Sequence, residues 1–136
     1  MPVDRCCSLR RDKYFLSKHI KRMTNESCLY FFKPRPHRFI QVRKMILPQL
    51  EEQAHGPEVA GMFFFEDNNY VLVKGDPIGE RLAIVAREQN ILLMGCDQCC
   101  YEREIDNKLV EGAVIGCFPN LYEALASNMP DQVITL

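Results

Sequence analysis

A parallel α/β domain with helices on both faces of its sheet is the fold class this sequence predicts. Three observations predict it. Short apolar or aromatic runs recur from Ser27 onward, segments of helical spacing alternate with them, and Pro, Gly or Asn marks most junctions. The chain's 136 residues are enough for one domain with a sizeable core.

The run "CLYFFK" (28–33) is apolar and aromatic, and Pro34 closes it, so it reads as a buried strand. "HRFIQVRKMILPQLEEQAHG" (37–56) places Phe39, Val42, Ile46 and Leu50 on one helical face, with Gly56 as the stop and Pro48 as a kink or break. "EVAGMFFFE" (58–66) is a second buried strand. "GDPIGERLAIVAREQN" (75–90) is a helix capped by Asp76, with Pro77 in its first turn and Ile78, Leu82 and Val85 facing the core. "ILLMGC" (91–96) is a third strand, and a helix starts within "DQCCYERE" (97–104). "GAVIGCF" (112–118) is a fourth strand. "PNLYEALASN" (119–128) is a helix opened by Pro119, and "QVITL" (132–136) is a last strand. Apolar strands separated by helices imply right-handed crossovers in a mainly parallel, five-stranded, three-layer sandwich. The expected strand order is the flavodoxin-like 2-1-3-4-5. One competing local reading turns "FFFEDNNYVLV" into a hairpin at Asn68-Asn69, with "YVLV" as an antiparallel return.

Composition narrows the function. Apolar residues at 47% and charged residues at 26% are an ordinary globular mixture, and a net charge of −1 gives no reason to expect nucleic acid or a membrane as partner. No run reaches the length of a membrane span, and the first residues lack the apolar core of a signal peptide. The expectation is therefore a cytosolic protein. Its seven cysteines then read as free thiols, metal ligands or redox groups, not as a disulfide framework.

Charge divides the chain into a basic extension, 1–22, and a domain, 23–136. Residues 1–22 carry seven bases and two acids, whereas the remainder carries ten bases and sixteen acids. The extension reads as a disordered basic tail, as upstream sequence before a true start at Met23, or as a basic docking arm. No chemistry is assigned to it, the Cys6–Cys7 pair included.

In an α/β sheet, reactive groups collect outside the carboxyl ends of the strands, at the point where strand order reverses. In the expected order that point lies between strands 1 and 3. If strands 1, 3 and 4 are neighbours, Cys96, Cys99 and Cys117 meet Arg35 and His37 at one edge. Cys96 ends a strand and precedes a helix, whose N-terminus favours a thiolate, and the basic "PRPHR" loop adds to that field. Asp97 opposes it unless it caps the helix and faces away. Cys99, at C-x-x-C spacing, could resolve a disulfide or receive a sulfur atom. Cys28 and Cys100 read as small packed hydrophobes. A zinc site would need Cys100, Cys117 or His37 as further ligands, and no spacing supports that.

At these residues the chain resembles the DsrE/DsrF-like superfamily, which includes TusD-type sulfur-relay subunits, and its ending also looks like the SaoD-like branch. The resemblance rests on "CLYFFKPRP", "EVAGMFFFEDNNYVLVKGDP", "ILLMGCDQCCYERE" and "GCFPNLYEALASNMPDQVITL". It implies a flavodoxin-like layer, assembly as trimers or hexamers of identical or related subunits, and a persulfide on the cysteine matching Cys96. Departures are the polar run Asp97-Gln98-Cys99-Cys100 after that cysteine and the acidic Glu102-Arg103-Glu104 in place of a basic pair.

The leading expectation is a sulfur carrier or sulfurtransferase subunit without a cofactor. Cys96 would hold sulfane sulfur and pass it to a partner protein, with Cys99 or Cys117 as auxiliary thiol. Its partners would be sulfur-donor and sulfur-acceptor proteins. The rivals are a thiol–disulfide redox protein using Cys96 and Cys99, a soft-metal binder using Cys96, Cys99 and Cys117, and an assembly subunit without catalysis.

Overall fold

The computed structural model describes residues 26–32 and 41–136. Five parallel strands form one sheet: β1 (Ser27–Phe32), β2 (Glu58–Phe64), β3 (Leu92–Cys96), β4 (Ala113–Gly116) and β5 (Gln132–Thr135). Between β1 and β2 a π-helical turn (Gln41–Ile46) runs into α1 (Leu47–Glu51). Pro48 lies in the first turn of α1. It lacks the N–H that would close the preceding turn, and its ring pushes that turn wider. The helix expected over 37–56 thus changes type at the proline and ends before Gly56. Its first residues, 37–40, lie outside the described residues.

A 3-10 segment (Glu66–Leu72) leads from β2 to α2 (Pro77–Gln89). The hairpin alternative is overturned here. Asn68 and Asn69 are buried, the Asn69 side chain donates to the Glu66 carbonyl at 2.8 Å, and only Val73 bridges another segment, at Leu109. Asp76 caps α2 as expected, accepting from the amides of Ile78 at 2.8 Å and Gly79 at 3.0 Å. Asn90 closes it in the left-handed region at φ 55°. Short α3 (Asp97–Glu102) follows β3, and α4 (Phe118–Leu125) follows β4.

The fold class is the expected one, but the strand order is 4-3-2-1-5 and not 2-1-3-4-5. Burial explains the difference. β2 is apolar on both faces and buried from Val59 to Phe64, which suits a central strand, whereas the expected order left it at an edge. The strands that do lie at the edges, β4 and β5, are the short and more exposed ones.

Because β1 to β4 step across the sheet in one direction, right-handed crossovers put α1, α2 and α3 on the same face. Val42, Ile46, Leu47, Leu50, Leu82 and Val85 fill that layer against Tyr30, Phe32, Met62, Phe64 and Leu93. Among the described residues only α4, on the way back to β5, reaches the second face. There Leu121 and Leu125 pack on Leu29, Ala60, Phe63 and Met94.

Two contacts set the first layer. Arg81 of α2 holds Glu51 of α1 with two hydrogen bonds, 2.8 and 2.6 Å. Gly79 brings α2 against the 3-10 segment, where an added Cβ would run into the Val71 carbonyl oxygen. We therefore expect Gly79→Ala to cost about 2 kcal/mol or more in urea unfolding, because the obstacle is backbone. The Arg81 guanidinium lowers the Glu51 carboxyl below its usual range, mainly by hydrogen bonding. The stability it adds is present above the ordinary carboxylate range and is lost as pH falls through the lowered value. The urea midpoints of wild type and Glu51→Gln should therefore differ slightly at neutral pH, in a salt-sensitive way, and converge in acid.

Candidate functional site

The carboxyl edge of the sheet carries the thiols, as the sequence suggests, but the reversal point has moved. Loops from adjacent strands leave toward opposite faces at β3 and β4, since α3 covers the first face and α4 the second. The crevice that such a reversal opens therefore lies between the ends of β3 and β4, not between strands 1 and 3. Cys96 is the last residue of β3 and pairs in register with Gly116, the last residue of β4. Cys117 follows at once. These two cysteines flank that reversal point.

Cys96 is half-buried and packs toward the second face, with Phe31, Phe65 and Leu92 around the Phe63 cluster. It occupies the cap position of α3, at φ −60° and ψ 123°. The thiol is nevertheless raised above its ordinary value. Burial is the main cause, followed by its hydrogen bond with the Cys99 thiol; the Cys99 backbone amide pulls the other way, and the charges of Cys99 and Asp97 add to the rise. The expected thiolate-favouring field of the helix start is thus outweighed by desolvation, because α3 has only six residues. Asp97 accepts the Gln98 amide at 2.7 Å but still opposes ionisation of Cys96.

Cys99 is half-buried and touches Cys96, so the C-x-x-C pair is real in space. Cys100 is fully buried, with its thiol pushed up to about 11, first by burial. Packing is its role, as expected. Cys28 is buried in β1, away from this edge. Cys117 is exposed. Its thiol donates to Asn120 Oδ1 at 3.0 Å, its backbone N–H donates to the same oxygen at 3.0 Å, and its sulfur accepts the backbone N–H of Asn120. Arg35 and His37 lie outside the described residues. Among the described residues no three His, Cys, Asp or Glu side chains gather to hold a metal.

Three features of this edge are not read from sequence. The first is Asn120. The second is a strut: Arg103 Nε meets Asp67 Oδ1 at 2.9 Å and Arg103 Nη1 donates to the Cys99 carbonyl at 3.1 Å, tying α3 to the 3-10 segment. The "YERE" stretch thereby supplies a cation that is already paired. The third is a shelf of rings on the second face. Phe118 lies 5.7 Å from Phe63, 5.8 Å from Phe65 and 6.3 Å from Phe31, and Tyr122 extends it at 6.5 Å. Phe118 and Tyr122 are 45% and 56% exposed, so the shelf is open beside the thiols. Phe118 and Tyr122 lie one turn apart on α4, a pairing hidden from a reading that ended a strand at Phe118 and opened the helix at Pro119.

The Cys96 thiol should react with iodoacetamide only above the ordinary thiol range. In Cys99→Ala the pH midpoint of that reaction should move down, since the contact that helps hold the proton is gone.

The fold has a counterpart among solved structures. The crystal structure of the YchN protein from E. coli superposes with a TM-score of 0.58 at 21% sequence identity, covering 82% of this chain and 98% of that one. No protein-family model matches the sequence. No curated protein matches it either. No helix among the described residues is long and apolar enough to cross a membrane.

Proposed function

We propose that this protein is a cytosolic sulfur carrier of the DsrE/DsrF-like kind, with Cys96 as the residue that holds sulfane sulfur. The observation that carries this reading is the place of Cys96: at the strand end beside the reversal crevice, touching one thiol and one register step from another. In the loading step the Cys96 thiolate attacks the outer sulfur of a donor protein's persulfide. The donor's S–S bond breaks, a new one forms on Cys96, and the donor leaves as a thiolate. There is no net oxidation. Delivery is the same displacement run with an acceptor thiol.

Desolvation of Cys96 fits storage better than promiscuous attack. A thiol that stays protonated at neutral pH reacts little with stray electrophiles, and loading then needs a donor that reaches it. The likeness in fold to the YchN protein supports the reading, as does the open aromatic shelf. That shelf offers a surface for donor and acceptor proteins or for further copies of this chain, in a trimer, a hexamer or a mixed assembly. Contact between Cys96 and Cys99 also favours a second reading, a dithiol–disulfide couple, which needs an electron acceptor that the carrier does not.

Intact mass separates the two. After incubation with a cysteine desulfurase and cysteine, wild type should gain one sulfur atom, which peptide mapping places on Cys96, and Cys100→Ser should load like wild type. Sulfur found on other thiols of wild type but never on Cys96 would sink the assignment. A loss of two hydrogens under mild oxidant, with no sulfur gained, would favour the redox couple.

A further inference from the structure

We propose that sulfane sulfur enters this site at Cys117 and passes from there to Cys96, with Asn120 positioning the Cys117 sulfur for the transfer. This rests on the sulfur-carrier reading and assigns an order to its thiols.

Access is the first argument. Cys117 is exposed, whereas Cys96 is half-buried and packed against the second-face cluster of Leu29, Ala60, Phe63 and Met94. Cys99 is a poor port. Its side chain is engaged with Cys96 and its carbonyl is held by Arg103.

Geometry is the second. Cys96 pairs with Gly116, so the Cα atoms of Cys96 and Cys117 lie about 6 Å apart by strand spacing and rise, within the range that bonded cysteines span. Strict alternation would send the Cys117 side chain to the first face, away from Cys96. The chain does not stay a strand. It turns at Cys117 into α4, and Asn120 takes hold of the sulfur.

Asn120 itself lies over Gly116. A Cβ on that glycine would come within 2.8 Å of Asn120 Cβ and 3.2 Å of Met94 Sδ. Met94 belongs to the second-face cluster, the cluster that Cys96 packs against. Asn120 therefore draws the Cys117 sulfur toward the face of Cys96, through space that a side chain at residue 116 would fill.

The chemistry balances without an oxidant. With inorganic polysulfide as the donor, the Cys117 thiolate attacks a terminal sulfur, and the shortened polysulfide leaves with the electron pair. The Cys96 thiolate then attacks the outer sulfur of the Cys117 persulfide. That S–S bond breaks, the bond on Cys96 forms, and the proton given up by Cys96 matches the one taken by the departing Cys117 thiolate. The backbone N–H of Asn120 is in place to hydrogen-bond that leaving sulfur.

The test is a time course with sodium polysulfide, quenched by an alkylating agent and read by peptide mass mapping. Wild type should show sulfur on Cys117 first and on Cys96 later. Cys117→Ser, which keeps a good helix cap, should load Cys96 about tenfold more slowly, since the intramolecular step is lost. Cys96→Ser should hold its sulfur on Cys117. Asn120→Leu should slow the second step, and Asn120→Asp, which keeps the acceptor oxygen, should restore it at an unchanged melting temperature. Cys96 loading in Cys117→Ser at the wild-type rate would overturn the relay and leave the carrier standing. Wild type that never carries sulfur on Cys96 would overturn the carrier reading itself. No effect of Asn120→Leu would remove Asn120 from the scheme.

Discussion

The right-handedness of the crossovers is the constraint from which the rest of this molecule follows. Four strands laid down in one direction commit three connections to one face of the sheet. A single eight-residue helix, α4, is then left to cover the other face. That imbalance has two results. The second face is thinly covered, so Phe118, Tyr122, Val114 and Val133 remain exposed. The connections also part company between β3 and β4, which opens the crevice where Cys96 and Cys117 lie. Site and bare surface are thus products of the same topology.

Within the crevice the decisive balance is between dipole and burial. A short helix offers little field, while packing against the second-face cluster removes water from the Cys96 sulfur. Burial prevails, and the Cys99 thiol reinforces it. Cys117 has the opposite setting: open to solvent and gripped by one neighbour's side chain and amide. Two cysteines on adjacent strand ends have therefore been given contrasting surroundings by the different lengths and faces of the helices that follow them.

Most of this architecture was legible in the chain. Apolar runs placed all five strands to within two residues or so at their ends, and Asp76-Pro77 marked the start of α2. The strand order was not. Order depends on which strands are apolar on both faces, and "VAGMFF" carries that information only when compared with the weaker "AVIG" and "QVIT". Cys96 and Cys117 were expected near each other through strands 1, 3 and 4 as neighbours; β3 and β4 do pair, with Cys96 opposite Gly116, but β2 separates β1 from β3. What stayed hidden depends on long-range fit. Asp67 and Arg103 are 36 positions apart, and Asn120 matters because residue 116 has no side chain. No local pattern encodes either.

The pairing of β1 with β5 also bears on how the domain assembles. Ser27 and Asp131, which tie those strands together through a 2.8 Å hydrogen bond, are 104 positions apart. Contacts of such separation form late, since closing so large a loop is entropically costly. Until β5 arrives, one side of the aromatic strand "CLYFF" has open backbone donors and acceptors, the kind of edge that recruits other chains. A nascent or partly folded chain is then most prone to aggregate through β1, the strand that becomes an interior one once folding is complete. In the finished domain β5 covers that edge.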